Sequence, residues 1–186
     1  FTNIKYKSPK SSIEKIMITL GGGDEHNFTK DVLDSLLDKY KSIEYNIILG
    51  NSYKYKDYMI ENYSNKNINF YINANNMAEI MLNNDLAISA GGNTLYELSA
   101  CGIPTIAVII ADNQRQFVQG IYRKAGIDYI DLLGESFKDK KENFLDIFER
   151  NIKDYKYREK ISKQMFNLVD GNGSSRIVDR ILRLSF

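Results

Sequence analysis

Residues 85–98 read Asp85-Leu86-Ala87-Ile88-Ser89-Ala90-Gly91-Gly92-Asn93-Thr94-Leu95-Tyr96-Glu97-Leu98. The first part, Leu86–Ala90, is a short apolar run of strand length. The last part, from Thr94 to Ala100, carries a helical pattern. Gly91 and Gly92 lie between them, where a chain leaving a strand must turn sharply into a helix. A strand, a glycine turn and a helix make half of a βαβ unit, and such units build parallel sheets.

The same alternation runs outward in both directions. Lys15–Leu20, Tyr45–Leu49 and Ile68–Ile72 read as strands before this stretch, and Thr105–Ile110 and Tyr129–Leu132 as strands after it. Thr105–Ile110 (TIAVII) is nearly all apolar, as a strand covered on both faces must be. Helices are expected over Phe28–Tyr40, Tyr55–Asn62, Met77–Leu82 and Arg115–Lys124, with Asn27 or Thr29 capping the first. Three more should finish the chain, near Lys141–Ile152, Tyr157–Leu168 and Ser175–Leu184. Gly102 fits the left-handed position that closes the Thr94–Ala100 helix. The fold class is therefore α/β, a doubly wound parallel sheet of Rossmann type with six strands. No linker breaks the chain after residue 12. Residues 1–12 are expected to be a linker remnant and 13–186 one domain.

Composition narrows the function. The chain has 186 residues, 43% hydrophobic and 26% charged, and its 25 Lys+Arg nearly balance 24 Asp+Glu. That balance offers no footprint for a nucleic-acid backbone. No run of 18 apolar residues marks a membrane span. The single cysteine, Cys101, cannot form an internal disulfide. It reads as a small buried hydrophobe in a cytoplasmic protein. One histidine, His26, cannot build a histidine cluster, and Asp24-Glu25 is not a metal-binding DxD pair, so no metal is expected. His26 reads as a solvent-exposed loop residue. The many tyrosines follow from an Asn-, Lys-, Ile- and Tyr-rich composition and do not by themselves make a stacking platform.

In an open α/β sheet ligands bind beyond the carboxyl ends of the strands, and three loops at such ends are chemically loaded. Gly21-Gly22-Gly23-Asp24-Glu25-His26-Asn27 follows the first strand. Its glycines allow a ligand to approach the backbone closely, and the next helix N-terminus favours an anion. The spacing matches neither the dinucleotide fingerprint nor the P-loop. Gly91-Gly92-Asn93-Thr94 again puts backbone N–H groups at a helix start, with Glu97 one turn inside. There a carboxylate could accept two ribose hydroxyls. Thr94 and Glu97 also have the spacing of a capping box, which leaves both readings open. Ala111-Asp112-Asn113-Gln114-Arg115-Gln116 is a polar, donor-rich loop after the apolar strand; alone it says only that Asp112 or Asn113 caps a helix.

Taken together, three segments resemble the C-terminal domain of GT-B sugar-nucleotide enzymes: residues 85–98, Cys101-Gly102-Ile103-Pro104-Thr105, and Ala111-Asp112-Asn113-Gln114. The resemblance is nearest to the UDP-sugar hydrolase of pseudaminic acid biosynthesis and the spore-coat polysaccharide glycosyltransferase-like proteins. It is more distant to the lipid II N-acetylglucosaminyltransferase. Ile18-Thr19-Leu20-Gly21-Gly22-Gly23-Asp24 and Asp170-Gly171-Asn172-Gly173-Ser174-Ser175-Arg176 also fit the hydrolase group, and the likeness runs from about residue 13 to 184.

The resemblance implies a UDP-sugar ligand and no further cofactor. Gly91, Gly92 and Thr94, with Asn93 between them, would hold the diphosphate, and Glu97 the ribose. Asn113 and Gln114 would face the sugar or phosphates, and Gly22 and Gly23 would line the cleft near the diphosphate. The uracil would lie near Ile72–Asn76. It also implies an N-terminal partner domain carrying the catalytic residues, so that this half alone is inactive. Hydrolase, glycosyltransferase donor domain and non-catalytic sugar-nucleotide scaffold are the alternatives, with a two-domain epimerase further off.

Overall fold

The computed structural model describes residues 1, 4–64 and 67–184. Six strands form one parallel sheet: β1 (Lys15–Thr19), β2 (Glu44–Leu49), β3 (Ile68–Ile72), β4 (Leu86–Ala90), β5 (Thr105–Ile109) and β6 (Asp128–Asp131). Their order is β3-β2-β1-β4-β5-β6, and every neighbouring pair is parallel. This is the doubly wound order whose direction reverses between β1 and β4, and that reversal opens a crevice above their carboxyl ends.

The helices are α1 (Phe28–Leu37), α2 (Lys56–Tyr63), α3 (Met77–Leu82), α4 (Thr94–Cys101), α5 (Asp112–Ala125), α6 (Phe137–Lys153), α7 (Tyr155–Phe166) and α8 (Gly173–Leu184). Strand residues alternate between two apolar layers, as a pleated strand requires. Ile16 and Ile18 of β1 join Val32, Leu33 and Leu36 of α1, Met59 and Tyr63 of α2, and Phe144 and Phe148 of α6. Met17 points the other way, to Met81 of α3, Leu95 and Leu98 of α4, Val118 and Ile121 of α5, and Ile161 and Met165 of α7. Cys101 is buried in this second layer as a free thiol, and burial pushes its pKa up to about 11.

Several element ends differ from the sequence expectation. α1 stops at Leu37 rather than Tyr40. α6 starts at Phe137, because the Ser136 hydroxyl accepts from Asp139 N and caps a turn that apolar spacing does not mark. α7 starts at Tyr155, capped by the Asp154 carboxylate, which accepts from Tyr157 N at 2.9 Å. The shift at α5 falls on residues selected for the site. The helix starts at Asp112, so Asp112, Asn113 and Gln114 form its first turn rather than a loop. Extended Ala111 precedes it and uses no side-chain cap.

Residues before β1 lie against the domain. Arg158 of α7 is fully buried and donates to the carbonyls of Lys10 and Ser11 as well as those of Asn151 and Ile152. Four carbonyl acceptors take up much of the fork of donors that a buried guanidinium needs to satisfy. Tyr6 packs on Phe166 with ring centroids 5.3 Å apart. Among the described residues no helix is long and apolar enough to cross a membrane.

Candidate functional site

The loops after β1, β4 and β5 converge on one cleft of about 380 Å³, lined by Gly21–His26, Gly92, Thr94, Ala111 and Gln114, among others. It sits above the carboxyl ends of β1 and β4, at the switch point of the strand order. A larger cavity of about 510 Å³ lies at the opposite, amino ends of the strands. Several of its polar groups are paired with one another or with residues beside the cavity. Lys15 binds Glu44, Lys10 binds Glu14 and Asp85, and Asn69, Asn46 and Asn84 form a ladder. The carboxyl-end cleft, by contrast, is lined by the glycine loop after β1 and by the start of α4.

The two helix starts at this cleft differ. At α1, Asp24 is only 5% exposed, and its carboxylate accepts from Phe28 N at 2.9 Å and Thr29 N at 2.8 Å. These are two of the four N–H groups that a helix leaves without partners at its start. Asn27 is the N-cap residue by position, one of the two the sequence offers, but its side chain makes no cap bond, and the capping carboxylate comes from Asp24 instead. Asp24 reaches forward because the intervening turn closes with Asn27 N donating to Asp24 O, with Asp24 and Asn27 both at positive φ (35° and 56°). A cap displaced this far from its helix has no linear sequence signature.

At α4, Asn93 is the N-cap residue, in helical conformation, with no side-chain cap bond. Thr94 is the first helical residue, so the capping box with Glu97 does not form. Gly91 N donates to Val108 O, and Gly92 N to Ala90 O. The N–H groups of Asn93 and Thr94 make no hydrogen bond with any described residue. Donors and the positive end of the helix dipole therefore face the cleft uncompensated.

Gly22, Gly23, Gly92, Thr94 and Gln114 line the cleft. The other four sequence-selected residues are not among its lining residues. Gly91 is buried, and a methyl group there would run into Val118 Cγ2 and lie 3.0 Å from Gln114 Cβ. It lets α5 close against the end of β4. Asn93 is exposed at the top of α4, and Asn113 on the outer side of the first turn of α5. Glu97 is half-buried one turn along α4, where its carboxylate accepts no hydrogen bond from any described residue. Burial raises its pKa.

Gln114 has one end fixed. Its Oε1 accepts from Ile110 N at 2.9 Å, leaving the Nε2 donor as the available end. Gly50 is a further determinant that sequence reading passes over. A methyl group there would meet the backbone of Gly22, so the loop of glycines rests directly on the end of β2. Nothing in local sequence reports a contact between backbones 28 residues apart.

The geometry has counterparts among known proteins. The model of the glycosyltransferase family 28 C-terminal domain matches residues 15–165. Uncharacterized protein MJ1062 of Methanocaldococcus jannaschii is 32% identical over 135 residues, covering 70% of this chain and 28% of that protein. Acinetobacter baumannii MurG superposes with a TM-score of 0.70 at 14% identity, over 94% of this chain and 51% of that one. UDP-GlcNAc 2-epimerase from Neisseria meningitidis, solved bound to UDP-GlcNAc, gives 0.67 at 18% identity, over 94% and 45%. Anabaena Alr3699/HepE in complex with UDP-glucose gives 0.65 at 13%, over 91% and 49%. At such identities the structural matches establish the fold, and the chain spans about half the length of each of these structures and under a third of MJ1062. With 151 consecutive residues of its 186 inside the family model, the chain belongs to the glycosyltransferase family 28 C-terminal domain family.

Proposed function

We propose that this domain binds a UDP-sugar and forms the donor-binding half of a two-domain glycosyltransferase. The observation that carries the reading is the uncapped start of α4, opening on the cleft where three strand-end loops meet. An anion there meets free N–H groups and the helix dipole without displacing any internal bond. Two of the similar folds, the epimerase and HepE, were solved with a UDP-sugar bound.

In this reading the diphosphate lies across Gly92, Asn93 and Thr94, with Gly22 and Gly23 leaving room for it on the β1 side. Gly91 acts by packing, since its N–H is committed to Val108 O. Glu97 accepts the ribose hydroxyls. A half-buried carboxylate without a partner is costly alone, and two hydroxyl donors would satisfy it. Gln114 Nε2 donates to the sugar or to a phosphate oxygen, with Asn113 at the rim. When the acceptor hydroxyl displaces the diphosphate, negative charge grows on the leaving UDP. Preorganised amides at α4 stabilise that charge as it develops. The acceptor, the groups that activate it and the catalytic residues belong to the remainder of the protein.

A hydrolase that uses the same half and replaces the acceptor by water is the second reading. The Gly91-Gly92-x-Thr94-x-Tyr96-Glu97 block with Asp112-Asn113-Gln114 favours it by resemblance. With the full-length protein, release of free sugar and UDP in the absence of any acceptor would select it.

Calorimetric titration of the chain with UDP, CMP, GDP and NAD tests the binding itself. UDP should bind selectively, and Glu97→Ala should weaken it by about 1–3 kcal/mol, the cost of leaving hydrogen-bond partners unmatched. Equal affinity for all four nucleotides, or UDP affinity unchanged in Glu97→Ala, would count against the assignment.

A further inference from the structure

The cleft contains a charge problem that its glycines do not solve. A nucleotide-sugar diphosphate carries two negative charges, yet the residues lining the cleft include Asp24 and Glu25 and no lysine or arginine. The one lining side chain able to become positive is His26, which is also the only histidine in the chain. Its position is built. Asp24 and Asn27 flank it in left-handed conformations that few non-glycine residues adopt. The Asp24 carboxylate binds two amides of α1, and the Tyr53 hydroxyl donates to Asn27 Oδ1. The His26 ring rests against Phe28, with centroids 5.4 Å apart. Both ring nitrogens lack a hydrogen-bond partner among the described residues. Strained backbone held by surrounding bonds is a device for presenting a side chain.

Building on the UDP-sugar reading, we propose that His26 is the cationic side-chain contact of this cleft, pairing with the diphosphate opposite the amides of α4. The other charged or titratable groups facing it are few. Asp24 is locked in its cap bonds, Glu25 is exposed beside it, and the Tyr55 hydroxyl donates to the Glu25 carbonyl. The opposite wall offers Thr94 and Gln114, which do not titrate, while Asp112 and Arg115 pair with each other on α5. Binding should therefore tighten as the pH falls through the range where histidine gains its proton.

UDP-N-acetylglucosamine is the right probe, because its diphosphate is esterified at both ends and keeps its charge from pH 8 to 5.5. Calorimetric titration of the chain across that range should show affinity rising about five- to tenfold toward low pH, the gain from charging one hydrogen bond. His26→Gln should remove the slope, and His26→Lys should restore tight binding without it. His26 is exposed, so neither substitution disturbs the core. A parallel pH slope in wild type and His26→Gln, or no slope in wild type, would overturn the role of His26 while leaving the UDP-sugar reading intact. No binding at any pH would overturn both.

Discussion

The loops after β1 and after β4 use the same materials, glycines followed by acidic, amide and hydroxyl residues, yet they end in opposite states. At α1 the helix start is closed by its own chain, with the buried Asp24 carboxylate occupying the amides of Phe28 and Thr29. At α4 the helix start is open, with Asn93 and Thr94 amides unpaired and no side-chain cap. A helix N-terminus becomes an anion site only where the protein refrains from satisfying it. One helix start is thus closed by its own chain and the other is left open, although both loops are rich in glycine.

The glycines divide in the same way, and the largest expected effect comes from one that only packs. Gly91→Ala should destabilise the chain by about 1–3 kcal/mol, since the added methyl must push α5 away from β4. For a chain of this size that is a fall in Tm of roughly 2–12 °C. Next comes the cap. Asp24→Ala should cost about 1–2 kcal/mol by denaturant unfolding, whereas Asn93→Ala should cost less than about 0.5, because no side-chain cap is lost. Equal losses would erase the distinction between the two helix starts. Gly92→Ala sharpens it from the other side. No heavy atom stands within 4 Å of the added carbon, so stability should stay within about 0.5 kcal/mol while UDP affinity falls.

The smallest effect concerns Glu97 in the absence of ligand. Burial holds its carboxyl above the ordinary value, so the folded chain keeps that proton to higher pH than the unfolded chain does. Stability is then lost as pH rises through the carboxylate range. Glu97→Gln should therefore raise Tm slightly at pH 7, with the gain vanishing near pH 4, while weakening UDP binding. A residue whose removal stabilises the free protein and harms binding is placed for the ligand rather than for the fold.

How much of this was legible beforehand depends on range. Apolar runs of strand length separated by helical periods reveal all six strands and their class, because burial on both faces leaves a mark at every residue of Thr105–Ile109 and Leu86–Ala90. Five of the nine selected residues line the cleft, and each of those five follows a strand end by a few positions. What stayed hidden depends on distant contacts or on backbone twist. The Asp24 cap needs two positive φ angles. The packing of Gly91 needs Val118 and Gln114 of α5, and the Gly22 approach needs Gly50 at the end of another strand. The polar residues Asp112, Asn113 and Gln114 give the first turn of α5 the composition of a loop, because polar residues suit an exposed first turn and a loop equally well.

The most direct test of the open and closed helix starts follows individual amides by ¹⁵N–¹H NMR while UDP-N-acetylglucosamine is added. The account predicts large, saturable shifts at Gly92, Asn93 and Thr94, and far smaller ones at Phe28 and Thr29, whose protons are already bound to Asp24. The reverse pattern, with the α1 amides moving and those of α4 still, would contradict it.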